Sequence, residues 1–511
     1  MMISRTKNSI RNIVFTLGSY FVILILQMIN RTMFVKYLPI EYLGVNGLFS
    51  NILSLLSLTE LGIGTAITYS LYMPLSNGNI EVIKSIMKLY RKLYMTIGCA
   101  VLIMGVILGS VLHIFIGDIS NFETYQELQV YFLIYVINTS ISYLGSYKRT
   151  LLICDQKQYI TSIVSAACKG LLTFAQIFEI IIFRDYKWYL MLMIFATVGE
   201  NILLTSISNK KYPYLKSKYT QKLDMKILKD IKKNVFAMMF HRVGDVIINA
   251  SDNMIITRFA SLLLTGLYSN YVIIISSIRT ILNQMFSALT ASVGNLVAES
   301  DRKNDYEIFK KILFINYIIY SLCAVSLSML LNDFIEIWLG PEYLLDKKTV
   351  NIVCLSFYIT GMLKTVRIFR DAAGVFYYDR YKPVAEAVIN IALSIPLTIK
   401  YQIFGTVIGT IVSNLSVSFW IEGYVLFKYH FRFSSVKYFL QQFKYLIIYI
   451  VLLGLYEFIF MIFSCTGIGG LCIKAVIISV SAVLVNFLLF RKTDELQYTI
   501  SLVKKLIDGK I

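Results

Sequence analysis

The sequence predicts an all-α polytopic membrane protein. Hydrophobic residues make up 57% of its 511 residues and charged residues only 15%, and its mean hydropathy is +0.67. Uncharged apolar windows recur from Ile13 almost to the C-terminus, each close to the roughly 20 residues that cross a bilayer as a helix. A soluble chain of this length could not bury so much apolar surface. The apolar runs are continuous rather than alternating, which excludes a membrane β-barrel.

The apolar windows predict about fourteen membrane spans. In chain order, spans 1 to 14 cover residues 13–35, 43–70, 93–116, 128–147, 159–182, 188–208, 234–257, 266–297, 312–332, 350–373, 384–402, 404–427, 443–463 and 470–490. The basic start of the chain runs into span 1 without a small-residue cleavage site, so we expect this helix to be retained. Before span 3, residues 80–92 predict an amphipathic helix on the membrane surface. Its apolar face consists of Ile83, Ile86, Met87 and Tyr90.

The loops between the spans alternate in charge, which predicts the orientation of the chain. The N-terminus is basic, and so are the loops at 84–92, 148–157, 209–233, 367–382 and 428–444. The loops on the other side are acidic at 118–127 and 333–346. Because Lys and Arg collect in cytoplasmic loops, both termini are expected in the cytoplasm.

A short polar motif occurs twice in the chain. GLFSN at Gly47–Asn51 opens span 2, and GLYSN at Gly266–Asn270 opens span 8, at an ungapped offset of 219 residues. Because an even number of spans separates the copies, the two halves have the same orientation and are related by an axis along the membrane normal. The glycines suit close helix packing, and the Ser and Asn side chains suit hydrogen bonds at the helix start.

The repeat also predicts the domain organisation. We expect a six-helix bundle over 1–208, a basic cytoplasmic linker over 209–233, a second six-helix bundle over 234–430, and two extra transmembrane helices with a cytoplasmic tail over 431–511.

Charged groups inside the spans are the candidate functional residues. A charge at a helix centre costs about 2.5–3.5 kcal/mol on insertion scales, so such residues usually face a cavity or a partner. The cationic candidates are Arg31, Arg242, Arg258 and Arg279. Arginines suit an anionic substrate, in particular one that carries phosphate. The candidates for binding a coupling ion or for gating are Glu60, His241, Asp245 and Asp252. At about 100° per residue, the last three share one face of span 7.

The repeat brings two charges of opposite sign onto equivalent positions. The offset of 219 residues aligns Glu60 in span 2 with Arg279 in span 8. Residues related by a two-fold axis can face each other across it. We therefore hypothesise that Glu60 and Arg279 form an ion pair between the bundles that breaks when the cleft opens.

Several other functions are disfavoured by the same composition. The net charge of +19 is explained by basic cytoplasmic loops, so no nucleic-acid partner is expected. The seven cysteines have no metal-type spacing, and we expect no metal or cofactor. The loops are too short for a catalytic domain, so the chain is not expected to be an enzyme.

Four stretches resemble the polysaccharide flippases of the multidrug/oligosaccharidyl-lipid/polysaccharide exporter superfamily. They are Glu41–Leu75, Asn249–Ser277, Ser287–Ser300 and Arg370–Pro396, spread over both halves of the chain. The resemblance implies alternating-access transport of an undecaprenyl-pyrophosphate-linked oligosaccharide repeat unit from the inner to the outer leaflet of the bacterial plasma membrane. It also implies a role in capsular or cell-surface polysaccharide synthesis, contact with membrane lipids, and work beside a polysaccharide polymerase and glycosyltransferases.

The resemblance further implies a cationic cavity and coupling to a proton or sodium gradient. Members of the family carry arginines in the first helix and in the second bundle, and Arg31, Arg242, Arg258 and Arg279 match that pattern here. Span 1 differs from the family because it offers one arginine rather than several.

Three alternatives stay open. A multidrug-type cation-coupled exporter of the same superfamily would share the two-bundle fold and need fewer arginines. A membrane-embedded polysaccharide polymerase or ligase would be an enzyme, and would need a large outward loop that this sequence lacks. A lipid II flippase for peptidoglycan would be separable only by genetics.

Overall fold

The computed structural model describes residues 2–60, 63–114, 124–155, 157–216, 225, 229, 251–299, 302–375, 378–462 and 467–507. These residues form two compact units, Met1–Gly266 and Leu267–Ile511. The four domain ranges that we expect from the repeat stay a prediction.

The α-helices of the first unit are Met2–Tyr37, Glu41–Leu56, Ile63–Ser76, Ile80–Ser110, Tyr125–Cys154, Gln158–Ile182 and Tyr186–Lys211. A helical segment over 251–259 precedes the long helix Leu262–Glu299, which crosses the boundary between the units. The helices that follow are Arg302–Leu339, Lys347–Met362, Lys364–Ala372, Lys382–Ser413, Phe419–Leu426, Val436–Ile462, Gly467–Phe490 and Asp494–Ile507. Short 3-10 turns lie at Ser57–Glu60, Leu112–Ile114, Pro213–Lys216 and Pro341–Tyr343, and π-helical turns at Asn414–Ser418 and Phe427–Phe431.

The predicted all-α polytopic class is confirmed. Within the described ranges, eleven helices are long and apolar enough to cross a membrane. One of these, Lys382–Phe431, contains both span 11 and span 12, and the others match spans 1, 3 to 6, 8 to 10, 13 and 14. Span 2 is divided into Glu41–Leu56 and Ile63–Ser76. Most of span 7 lies outside the described residues.

The segment Lys382–Phe431 is a helical hairpin. Its 50 residues would extend about 75 Å as one straight helix, far beyond the roughly 30 Å of a bilayer core. Gln402 has φ 54° and ψ −133°, which interrupts the helix. On either side of it, the hydroxyls of Thr398 and Thr406 lie 2.7 Å apart, and Asn390 Nδ2 donates to Thr410 Oγ1 at 3.0 Å. Spans 11 and 12 are therefore two antiparallel helices, as predicted.

The predicted surface helix at 80–92 is wrong. These residues continue without a break into span 3 as the helix Ile80–Ser110. The apolar face was identified correctly, but its side chains are buried in the first unit rather than in lipid. Ile83, Ile86, Met87 and Tyr90 share a core cluster with Ile67, Leu151 and Leu204, which come from the helices Ile63–Ser76, Tyr125–Cys154 and Tyr186–Lys211.

The start of span 2 and the start of the helix Leu262–Glu299 approach each other at two glycines. A Cβ at Gly44 would collide with the carbonyl oxygen of Leu262, and a Cβ at Gly266 would lie 2.7 Å from the carbonyl oxygen of Ile40. Backbone therefore packs on backbone here, which only glycine allows. Gly266 opens the second copy of the repeated pentapeptide, and its expected role in close packing is confirmed. The same expectation is wrong for Gly47 of the first copy, where a Cβ would lie 3.6 Å from Thr265 Cγ2, an ordinary contact.

In the second unit, the two C-terminal spans pack against span 9. The rings of Tyr317 and Tyr445 stack with centroids 4.1 Å apart, and Phe314 meets Phe490 edge-on at 5.0 Å. Lys474 Nζ also donates to Asp333 Oδ2 at 2.6 Å. Spans 13 and 14 thus belong to the second unit through span 9.

Candidate functional site

Arg31 lies beside a group of buried tyrosines in the first unit. Its charge is within electrostatic range of Tyr135 and Tyr189. The Tyr189 hydroxyl accepts a hydrogen bond from Asn30 Nδ2 at 3.0 Å, and Tyr135 donates to Asn46 Oδ1. The residue before Arg31 and the aromatic neighbours of Arg31 are thus hydrogen-bonded within the first unit.

The same tyrosines pack around Tyr186, which joins spans 1, 2, 4 and 6. Tyr186 donates to the same Asn46 Oδ1 as Tyr135. Its ring centroid lies 4.4 Å from that of Tyr42 and 4.9 Å from that of Tyr131. The polar edges of these rings are used inside the first unit, so we assign the group a supporting role.

Glu60 accepts a hydrogen bond from the Tyr94 hydroxyl of span 3. Tyr94 in turn packs edge-on against Tyr90, with centroids 4.5 Å apart, and Tyr90 shares a hydrogen bond with Thr150 at 3.0 Å. The carboxylate is therefore tied into the first unit through a chain of hydroxyls. Its pairing with Arg279, which belongs to the second unit, remains a prediction.

The other predicted residues around span 7 are only partly within the described part of the chain. Asp252 is half-buried and Arg258 is exposed, both in the helical segment 251–259. His241, Arg242 and Asp245 lie outside the described residues.

Arg279 lies in an aromatic environment in the second unit. Its guanidinium carbon is 6.0 Å from the centroid of the Phe357 ring, and Phe357 is 5.3 Å from the ring of Tyr320. Tyr320 is within electrostatic range of both Arg279 and Arg367. Arg367 is therefore a further cation of the same neighbourhood, at the start of the basic loop that the sequence predicts over 367–382.

A buried ion-pair network joins spans 10, 11 and 12 next to Arg367. Glu422 is completely buried, and its two oxygens accept from Arg367 Nε at 3.1 and 3.0 Å. Lys382 Nζ donates to Glu422 Oε1 at 2.5 Å, and Arg370 donates to Asp379 Oδ2 at 2.6 Å. Arg370 Nη1 also lies 3.6 Å from Glu422 Oε1, so three cations surround one buried carboxylate.

A second buried carboxylate continues this network. Glu386 accepts from Asn414 Nδ2 at 3.2 Å and from the Ser418 hydroxyl, and its Oε2 lies 3.7 Å from Lys382 Nζ. The first unit has a smaller counterpart, in which Arg149 and Ser165 both donate to Glu200.

Sequence reasoning missed most of these partners. Glu422 lies in the apolar run of span 12, and Glu386 lies in that of span 11. A charged residue inside an apolar run is the same pattern that identified Glu60 as a candidate. Asp379 looked like an ordinary loop residue, yet it is buried. Its partner Arg370 is nine positions away, at the inner end of span 10, and only the fold shows that the intervening turn brings the two together.

No protein-family model and no curated protein sequence matches this chain, but solved structures do. A lipid II flippase, MurJ, in an inward closed conformation matches with a TM-score of 0.66 at 16% identity, over 94% of this chain and 99% of the flippase. An inward-facing multidrug resistance MATE transporter of the MOP superfamily matches with a TM-score of 0.61 at 12% identity, over 79% of this chain and 94% of the transporter. A mutant of the MATE transporter VcmN from Vibrio cholerae matches with a TM-score of 0.57 at 13% identity, over 84% of this chain and all (100%) of VcmN.

These similarities show the fold. The chain has the all-α fold that the flippase and the MATE transporters share, and this is the fold that the resemblance implied. The three similar proteins are a flippase and transporters rather than enzymes.

Proposed function

We propose that the chain is a flippase for a lipid-linked oligosaccharide. It would translocate an undecaprenyl-pyrophosphate-linked repeat unit from the inner to the outer leaflet of the bacterial plasma membrane by alternating access, for capsular or cell-surface polysaccharide synthesis. Both termini would lie in the cytoplasm, where glycosyltransferases complete the repeat unit. A polysaccharide polymerase would use the product on the outer side.

The observation that carries this proposal is the similarity in fold to a lipid II flippase over nearly the full length of both chains. That match includes 94% of this chain, against 79% for the first MATE transporter. The flippase thus accounts for more of this chain than that transporter does.

The described cations fit a phosphate-bearing substrate. Arg31 lies beside tyrosines in the first unit, and Arg279 lies over Phe357 in the second. Guanidinium groups bind phosphate in a fork geometry. Glu60 and Asp252 are the described candidates for coupling to a proton or sodium gradient.

A multidrug-type exporter is the second candidate. The similarity to the two MATE transporters favours it. Such a chain would carry cationic drugs and would need fewer arginines.

Gene deletion separates these functions. In a strain lacking this chain, we expect the completed lipid-linked repeat unit to accumulate on the cytoplasmic side while surface polysaccharide falls, because assembly continues without export. Lipid-linked intermediates from the deletion strain, the parent and a complemented strain would be extracted and compared by mass spectrometry.

Other outcomes would contradict the proposal. Intermediates stalled before the repeat unit is complete would indicate an assembly function. Normal intermediates with raised sensitivity to cationic drugs would indicate the exporter. Accumulation of lipid II instead would indicate a flippase for peptidoglycan.

A further inference from the structure

The same arginine–glutamate pair occurs in both units. In the first unit, Arg149 of the helix Tyr125–Cys154 donates to Glu200 of the helix Tyr186–Lys211. In the second unit, Arg367 near the end of span 10 donates to Glu422 of span 12. The two arginines lie about 220 residues apart, the separation of the repeated pentapeptides. Both halves of the repeat thus contain a glutamate that binds an arginine near the predicted cytoplasmic end of the membrane spans.

Arg367 is the most accessible cation of the buried network. Its side chain is 35% exposed, against 10% for Arg370 and 9% for Lys382. Arg149 of the first unit is similarly accessible at 38%. Glu422 therefore holds Arg367 from the buried side and leaves part of it open.

The hydrogen bonds of Arg367 use only one edge of its guanidinium group. Within the described chain, both of its bonds run from Nε to the two oxygens of Glu422. A guanidinium group has five N–H donors, and the four on the terminal nitrogens of Arg367 have no hydrogen-bond partner among the described residues. In contrast, Arg370 donates to both Asp371 and Asp379.

Two further cations lie in the neighbourhood of Arg367. Lys364, one helical turn earlier, is near enough to interact with it electrostatically. Arg279 shares the neighbour Tyr320 with it. A planar fork of donors with further cations nearby is the arrangement that recognises phosphate.

We propose that Arg367 is an anion-binding residue of the second unit that takes a phosphate group of the substrate, with Lys364 as its neighbour. This inference rests on the proposed function and adds a residue to it. Because Arg367 lies at the predicted cytoplasmic end, it would bind the diphosphate before translocation. Glu422 would neutralise part of the charge of Arg367, so that binding stays reversible.

The test uses the purified full chain in detergent, in buffer free of phosphate and sulfate. Inorganic pyrophosphate and farnesyl pyrophosphate are titrated separately by calorimetry into wild type and into Arg367→Gln. We expect the substitution to weaken binding at least about tenfold, as for loss of hydrogen bonds to a charged group. Tighter binding of farnesyl pyrophosphate would identify a lipid-linked phosphate as the ligand, and equal binding a free one.

Two further variants keep the result interpretable. Arg380→Gln removes an arginine of the same unit whose guanidinium carbon lies 4.7 Å from the Tyr381 ring. We expect the affinity of this variant to stay within about twofold of wild type, because it keeps Arg367 and the hydrogen bonds that Arg367 would give the phosphate. Arg367→Lys keeps the positive charge beside Glu422 but loses the planar fork of donors. We therefore expect its affinity for pyrophosphate to lie between those of wild type and Arg367→Gln. This variant still tests the assignment if Arg367→Gln does not fold.

The outcomes separate this inference from the proposed function. If wild type binds pyrophosphate and both Arg367 variants bind it equally well, the assignment of Arg367 is wrong and the flippase proposal stands. If wild type binds neither probe, the assignment of Arg367 is overturned as well, and the deletion experiment alone decides the function.

Discussion

The negative charge of Glu422 balances the positive charges of the cations around it. It is completely buried and lies within 4 Å of three cations, Arg367, Lys382 and Arg370, the last at 3.6 Å. Two of these cations are themselves largely buried. Their desolvation is offset only while the carboxylate is ionised.

We therefore expect Glu422→Gln to be strongly destabilising. The neutral amide has nearly the same shape but leaves buried cations without a counter-charge, a loss of about 3–5 kcal/mol. The thermal unfolding midpoint of the purified protein measures the effect.

Glu457→Gln provides the matched control. Glu457 is half-exposed, pairs with the exposed Lys347 at 3.5 Å and accepts from Asn351 Nδ2 at 2.7 Å. The amide oxygen of glutamine can keep the bond from Asn351, so losing the charge should cost under about 1 kcal/mol. Equal midpoints for the two variants would show that the network does not depend on the Glu422 charge.

At the scale of single residues, the sequence predicted which side chains are unusual better than it predicted the side chains that they contact. Charges inside apolar runs identified Arg31, Glu60 and Arg279 as unusual. Their neighbours come from spans that are distant in sequence, such as Tyr94 for Glu60 and Phe357 for Arg279. A single sequence contains no information on which faces of two helices meet, so these contacts needed the fold.

At the scale of elements, the close approach at Gly44 and Gly266 leads to a second prediction. Gly44→Ala would place a methyl group against the Leu262 carbonyl, and overpacking of this kind costs about 1–3 kcal/mol. We expect a lower unfolding midpoint for this variant.

Gly199→Ala is the control for this substitution. Gly199 lies in the helix Tyr186–Lys211, with nothing within 4 Å of an added Cβ. Alanine there should raise stability by about 0.5–1 kcal/mol, because glycine weakens a helix. A Gly44→Ala protein as stable as Gly199→Ala would contradict the close packing.

Periodicity and length predicted most elements, and the exceptions have physical causes. Residues 80–92 have the amphipathic pattern of an interfacial helix, yet a protein core can cover the same face. The pattern indicates that one side of the helix is apolar, but it does not indicate whether lipid or protein covers that side. Span 2 is divided at Ser57–Glu60, where the polar residues Ser57, Thr59 and Glu60 weaken the apolar run.

At the scale of the whole molecule, the orientation of the chain can be tested with thiol labelling. On a background without native cysteines, Lys400→Cys places a thiol beside the turn of the hairpin, on the predicted outer side. Lys428→Cys places one at its other end, on the predicted cytoplasmic side. We expect a membrane-impermeant maleimide to label the first in intact cells, and the second only after permeabilisation, because positive charge collects inside.

The reverse labelling pattern would place both termini outside. Labelling of both positions in intact cells would show that this segment does not cross the membrane twice.

The fold class followed from composition because lipid leaves few choices: backbone groups in a bilayer must be satisfied within helices or closed barrels. The repeat predicted two similar halves, and the paired arginines and glutamates of the two units agree with it. Which ligand is carried depends on side-chain geometry within each unit. Composition does not determine that geometry.

The hairpin at Gln402 has a consequence for the synthesis of the protein. Span 11 is the weaker apolar segment because it carries Glu386, Asn390 and Thr398, and all three are buried. Alone, this helix would expose a polar face to lipid, which is costly. Span 12 covers that face, and almost no chain separates the two helices. We therefore expect the insertion machinery to release them into the bilayer as a pair, so that a ribosome pausing between them would leave span 11 outside the membrane.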